Sequence, residues 1–432
     1  MHPYILAKTI AYIRTKQPIQ FVILFFIIGL LYFQTRKFSF LIGWDDQWFV
    51  TNHYTEGGFS MDNVFSVFSE FYYGQYAPVN QLYYTAIYQS FGYSPAMYHL
   101  FNVLIHTFNC VLVYYLVIVL LNDNAPLQTV RNVRIAFLTA LLFAILPINV
   151  EPVSWIAASK VLLYAFFYLF ALLAYRKYLY SGKGVWFYLC MLLGLLSFGA
   201  KEQAVVLPIC LLLIDYLYGR NFYTSQVWLE KLPFVIMSLI LGLATIDSQQ
   251  LDDGGFYSVW ERIPLFFYTL TEFFTKCILP VNVSYLYPFP FQSGGAIPSW
   301  MWIPVICLPL FLILVWPVFK NKMLLFPACF FLIHILLTCN LFSLARFAVT
   351  ADRYAYVASI GACLLCATLL VKTISDGRKP LLFLLITGTY ITFLFLTSYH
   401  YVPVWQNVTT LKKRLADTVE SRRDYKSLCN EK

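Results

Sequence analysis

The chain has 432 residues, of which 60% are hydrophobic and 12% charged, with a formal net charge of +9. A soluble domain carries about 25% charged residues, so this composition, with a mean hydropathy of +0.67, excludes a soluble globular enzyme and points to an all-α polytopic membrane protein. The excess positive charge sits in short gaps between apolar runs and reads as cytoplasmic anchoring, with no nucleic-acid partner. Of the ten cysteines, Cys110, Cys190, Cys210, Cys307, Cys329, Cys339, Cys363 and Cys366 lie in apolar runs and read as small core residues. Only Cys277 and Cys429 fall in extramembrane segments, and Cys363-Leu364-Leu365-Cys366 lacks the second ligand pair that a zinc site needs.

Lys8, Arg14 and Lys16 precede the first apolar run, at 20–34, with no small-residue cleavage site behind it, so that run is an uncleaved first span. Further runs at 98–121, 134–149, 161–178, 185–200, 204–218, 232–247, 301–319, 324–345, 354–372 and 381–399 bring the expectation to about eleven transmembrane helices. Residues 1–400 form one transmembrane domain and 401–432 a short external tail, holding one short polar helix at most. With the N-terminus in the cytoplasm, every inner gap is basic: Arg131 and Arg134; Arg176, Lys177 and Lys183; Arg220 and Lys231; Lys320 and Lys322; Lys372, Arg378 and Lys379. The tail, with Lys412, Lys413, Arg414, Arg422 and Arg423, is the exception.

Two outer segments, 35–97 and 248–300, are too long for simple turns. The mixed aromatic and polar stretches at 68–73, 82–88 and 263–279 suggest amphipathic helices lying along the bilayer, the last ending at Pro280.

The first outer segment opens with Trp44-Asp45-Asp46-Gln47-Trp48, two like charges side by side in a chain poor in charge, which calls for a compensating cation, metal or proton. Asp45, Asp46, Glu151, Lys160, Lys201, Glu202, Arg346, Asp352 and Arg353 form a mainly outward set at helix ends. A carboxylate pair with several cations suits transfer from a lipid-linked phosphate. One carboxylate takes the proton of an acceptor hydroxyl, while Arg353, Arg346, Lys201 and Lys160 hold the leaving phosphate. Plainer readings stand beside this one: Asp45 and Asp46 as helix caps, Glu151 and Lys160 as a solvated hairpin, Lys201 and Glu202 as snorkelling charges, and Asp352 with Arg353 as a local ion pair. His99, His106, Asn102 and Asn109 share one helix face and read as interhelical hydrogen bonding rather than as metal ligands.

Trp44-Asp45-Asp46, Tyr98-His99-Leu100-Phe101-Asn102-Val103-Leu104-Ile105-His106, Leu146-Pro147-Ile148-Asn149-Val150-Glu151-Pro152, Ala200-Lys201-Glu202 and Ala351-Asp352-Arg353-Tyr354-Ala355-Tyr356 occur in an order that resembles the membrane half of the transmembrane and tetratricopeptide-repeat-containing O-mannosyltransferases. The resemblance covers about residues 40–410. It implies a GT-C glycosyltransferase, in which an acidic motif of the first outer loop works beside the phosphate of a polyprenyl-phosphate-linked sugar donor. The catalytic residues would be Asp45 and Asp46, the donor phosphate would meet Arg353, Lys201, Arg346 and Lys160, and Glu151, Glu202, His99 and Asp352 would shape the site. The acceptor would be an exported protein or a glycan, and the setting a bacterial inner membrane with a periplasmic active site. A divalent cation between Asp45 and Asp46 is left open. The chain departs from the family at Leu146 and Asn149, where two histidines are common, at Tyr76-Ala77-Pro78 in place of Tyr-Arg-Pro, and in having no repeat array after the last span. A lipid-linked oligosaccharide ligase or polymerase, and a transporter or flippase, are the rival readings.

Overall fold

The computed structural model describes residues 3–248, 257–281, 283–340, 348–376 and 379–421. Among these the protein is all helical, with only two isolated β-bridges, Tyr72 to Gln75 and Tyr287 to Thr350.

All eleven apolar runs become helical over most of their described length, but eight helices are long and apolar enough to cross a membrane: Gln17–Lys37, Pro95–Asn124, Pro126–Ile145, Ile156–Ser181, Ser225–Ser248, Ser299–Pro317, Ala358–Ser375 and Pro380–Trp405. Gly184–Ala200 and Lys322–Thr338 are shorter apolar helices. The run at 204–218 divides into a 3-10 turn, Glu202–Val206, and the helix Leu207–Leu217. Because a 3-10 turn rises about 2 Å per residue, this pair still covers roughly 26 Å. It therefore joins the two ends of the bundle although no single helix there is long enough to do so.

Local chemistry sets the helix ends. Proline opens Pro78–Phe91, Pro95–Asn124 and Pro380–Tyr401, where a missing backbone donor costs nothing. Gly182, at φ 67°, closes Ser159–Ser181 in a left-handed cap. Ser258 and Glu261 form a reciprocal capping box at the start of Val259–Ile278, the helix expected at 263–279. The first outer segment holds Asp46–Phe49, His53–Glu56, Met61–Ser69 and Pro78–Phe91. The stretch at 68–73 is not a helix of its own; it is the end of Met61–Ser69 followed by a tight turn in which Tyr73 (φ 46°) and Gly74 (φ 68°) are left-handed. The tail folds into Val408–Ser421, whose Arg414 donates to the Val283 carbonyl.

One continuous apolar core runs through Pro95–Asn124, Thr129–Ile145, Ser159–Ser181 and Ala358–Asp376. The last of these is pressed against Lys322–Ile335 at Gly361, where a Cβ would lie 2.4 Å from the Pro327 carbonyl oxygen, so only glycine permits the approach. This crossing fixes the helix that begins just after Asp352 and Arg353. At the far end of the bundle, Arg176 pairs with Asp123 at 2.6 Å. Beside it the buried Asp215 meets Lys231 at 2.5 Å and Arg220 at 3.2 Å, and Arg220 also pairs with Glu230. Arg176, Arg220 and Lys231, expected from sequence as basic residues of inner gaps, are also partners in ion pairs that tie these helix ends together.

Candidate active site

The adjacent aspartates differ in what they touch. Asp46 is fully buried at the start of Asp46–Phe49. Its Oδ2 accepts from the Leu41 backbone at 2.7 Å and its Oδ1 from the Ala157 backbone at 3.0 Å, so one side chain fastens the outer loop to the turn before the fourth long helix. Burial raises its pKa to about 6 against the pull of those two N–H groups. Asp45 is half-buried, and its carboxylate has no hydrogen-bond donor among the described residues. Burial raises its pKa too, while the positive charges of Lys160 and Arg353 lower it. Replacing Asp46 with Asn puts an NH2 group against a backbone N–H and removes a charge-assisted bond. A loss of about 2–3 kcal/mol in unfolding in mixed micelles is expected, and an unchanged stability would show that the two backbone contacts do not form.

Arg353 is held from behind. Its backbone N–H donates to Glu151 Oε2 at 2.9 Å and its Nη1 to Oε1 at 2.5 Å, and Glu151 is fully buried. The guanidinium lies 5.4 Å from the Trp155 ring and 5.1 Å from the Tyr354 ring, and its other nitrogens have no protein acceptor among the described residues. Burial lifts the Glu151 pKa and Arg353 opposes that. Asp352 turns the other way: Lys276 stands 3.9 Å from its Oδ1 and the Tyr287 hydroxyl donates to Oδ2 at 3.3 Å. The Asp352-to-Arg353 pair weighed from sequence does not form, because each residue has its own buried partner of opposite charge.

Lys160 Nζ donates to Gln75 Oε1 at 2.5 Å, and Lys201 Nζ lies 3.1 Å from Glu202 Oε1. The Lys201 side chain is 4% exposed and that of Glu202 40%. Lys201 and Lys160 beside it favour the charged form of Glu202.

These groups line two chambers. One, of about 390 Å³, includes Asp45, Lys160, Lys201, Glu202 and Arg353 among its walls and is lined on another side by the turn at 73–77. The other, of about 490 Å³, is lined by Trp44, Trp48, Trp155, Tyr285 and Tyr354. Asp45, Arg353, Trp155 and Tyr354 belong to both. Thus Asp45 lines one chamber with three cations, Lys160, Lys201 and Arg353, and with a second carboxylate, Glu202.

His99 is not among the chamber residues; it is buried, edge-on to Phe38, with neither ring nitrogen bonded among the described residues. His106 does make the interhelical bonds expected of that face, at 2.7 Å to the Tyr356 hydroxyl. Arg346 lies outside the described residues. Each Asp46 oxygen accepts one backbone N–H, and the described residues hold no group of three His, Cys, Asp or Glu side chains that could hold a metal ion.

No family model matches the chain. Over 361 residues it is 27% identical to a curated Caenorhabditis elegans protein named as a protein O-mannosyl-transferase, with 76% of this chain and 49% of that protein covered. The chain is a distant relative of a protein O-mannosyltransferase. It spans about half the length of the curated relative it matches.

Sequence reasoning missed Lys276, Gln75 and Tyr287. Lys276 lies in an amphipathic helix where a lone lysine reads as snorkelling, yet it is 5% exposed and sits 3.1 Å from the Tyr287 ring centroid. A usable signal was its place near the C-terminus of a capped helix that ends at Pro280.

Proposed function

We propose that the protein is an inverting glycosyltransferase that moves a sugar from a polyprenyl-phosphate-linked donor to an acceptor hydroxyl. The observation that carries this reading is the common chamber: Asp45 lines it with Lys160, Lys201 and Arg353, while Asp46 is committed to holding the loop, Glu202 is paired with Lys201 and Glu151 holds Arg353. The distant relative agrees with it, and its name makes mannose the first sugar to try and a protein Ser or Thr hydroxyl the first acceptor, with a glycan hydroxyl the alternative.

In this account Asp45 takes the proton from the acceptor hydroxyl. The acceptor oxygen bonds to the anomeric carbon from the face opposite the phosphate, the carbon–oxygen bond to phosphate breaks, and its electron pair leaves on the polyprenyl phosphate. Arg353 gives that phosphate a planar set of donors, and Lys160 and Lys201 add point charges. Three cations beside the leaving group make a general acid unnecessary. The site end faces away from the cytoplasm, in keeping with Arg176, Lys177, Lys183, Arg220 and Lys231 at the other end.

The test is reconstitution of the full chain in liposomes with polyprenyl-phosphate mannose and a Ser/Thr peptide or glycan acceptor. Covalent product and free polyprenyl phosphate are expected, with a chelator making no difference. Flipping of the lipid without product would instead favour the transporter reading. The acid limb of kcat/KM should lie above the ordinary aspartate value of about 3.9, since the base works only when ionised. Lys160→Met removes a charge that lowers the Asp45 pKa, so the limb should move to higher pH; a limb that stays put would separate Asp45 from the rate.

A further inference from the structure

The chamber lined by Trp44, Trp48, Trp155 and Tyr285 has a different chemistry from the cation chamber beside it. Its volume of about 490 Å³ lies within the roughly 300–1,000 Å³ of small-molecule sites, and among the described residues its charged groups are Asp45 and Arg353, both on the wall it shares with its neighbour. The rings are braced from outside. Trp155 stacks on the buried Trp405 at 5.7 Å and 20°, Trp44 stands edge-on to Tyr285 at 4.8 Å and 87°, and Trp48 stacks on Tyr73 at 5.6 Å and 28°. Trp48 remains 38% exposed. Tyr285 is 3% exposed and its hydroxyl has no hydrogen-bond partner among the described residues.

We propose that this aromatic chamber is a pyranose subsite, in which Trp48 and its neighbours meet the C–H face of a sugar ring while rim hydroxyls turn to Asp45 and Arg353. A pyranose has one apolar face and a polar edge, which is the pattern the lining presents: aromatic rings, with Trp48 the most open of them, beside one carboxylate and one guanidinium among the described residues. Among the described residues a phosphate is better matched by the other chamber, which Lys160, Lys201 and Arg353 line together, than by this one, where three tryptophans accompany one guanidinium. The inference rests on the sugar-transfer reading for what the ring is used for, and the ring has two possible sources, the donor's transferred sugar and a sugar of the acceptor.

The experiment measures binding of free methyl pyranosides (mannoside, glucoside and galactoside) to the purified full chain by saturation-transfer NMR, with micelle unfolding as the folding control. Wild type should bind at least one of them. Trp48→Ala should weaken that binding about tenfold, and Trp48→Phe should keep most of it. Equal binding by wild type and Trp48→Ala, or no pyranoside bound by wild type, would overturn the proposal. In the transfer assay, a raised KM for the lipid-linked sugar assigns the ring to the donor, and a raised KM for a glycan alone assigns it to the acceptor. If pyranosides bind through Trp48 but no transfer product forms with any donor, the transfer reading fails and the subsite stands.

Discussion

Asp45→Asn is expected to lower kcat/KM for sugar transfer by at least about 100-fold while leaving unfolding in micelles close to wild type. General-base catalysis contributes roughly 100- to 10,000-fold, and the amide cannot take the acceptor's proton. Stability should hold because the Asp45 carboxylate accepts no hydrogen bond from the described residues, so nothing in the fold loses a partner. Asp46→Asn should show the reverse order of effects: a weaker fold first, and a loss of rate only as the loop that carries Asp45 loosens. Measuring both variants at matched folded fraction separates the roles. A normal rate in folded Asp45→Asn would remove the base from the account, and equal losses of rate with equal stability in both variants would mean that the two aspartates act as one group.

Arg353→Ala is expected to be damaging twice over. It leaves Glu151 buried and unpaired, which costs about 3–5 kcal/mol in well-enclosed pairs; a value near the lower end fits here because the arginine side chain is 25% exposed. It also takes from the chamber the one guanidinium that the described residues place there, with an expected further loss of about 100-fold or more in kcat. The double variant Arg353→Ala with Glu151→Gln distinguishes the two effects, since the neutral amide tolerates burial. Stability should largely return while the rate stays low. If the rate returns as well, Arg353 serves only the fold. Arg353→Lys should fall between, because an ammonium cannot bond Glu151 and a phosphate with the fixed geometry of a planar fork.

Much of this arrangement was legible in the sequence, and what was missed has identifiable causes. Apolar runs located nearly every long helix because only a helix satisfies its own backbone in lipid. Span length was less secure: the run at 204–218 reads as one helix, but Pro208 near its start is preceded by a 3-10 turn, so apolarity alone overstated the number of full-length spans. The charged residues Asp45, Lys160, Lys201, Glu202 and Arg353 were picked out by being ionisable at helix ends, and the fold places them on one cavity wall. Which aspartate is free was not legible, because the answer depends on a backbone N–H 111 residues away at Ala157. The same holds for Arg353, whose neighbour Asp352 looked like its partner while the true one, Glu151, is 202 residues distant. His99 was carried along by its motif, yet its ring is packed against Phe38 and lines neither chamber.

The most direct test of the central claim is a structure of the full chain in lipid with a non-hydrolysable polyprenyl-phosphonate sugar bound. The account predicts the phosphonate oxygens within hydrogen-bond distance of Arg353 and of Lys160 or Lys201, with the Asp45 carboxylate on the opposite side of the anomeric carbon. A phosphonate held at the other end of the bundle, among Arg176, Arg220 and Lys231, or one contacting none of Arg353, Lys160 and Lys201, would contradict it.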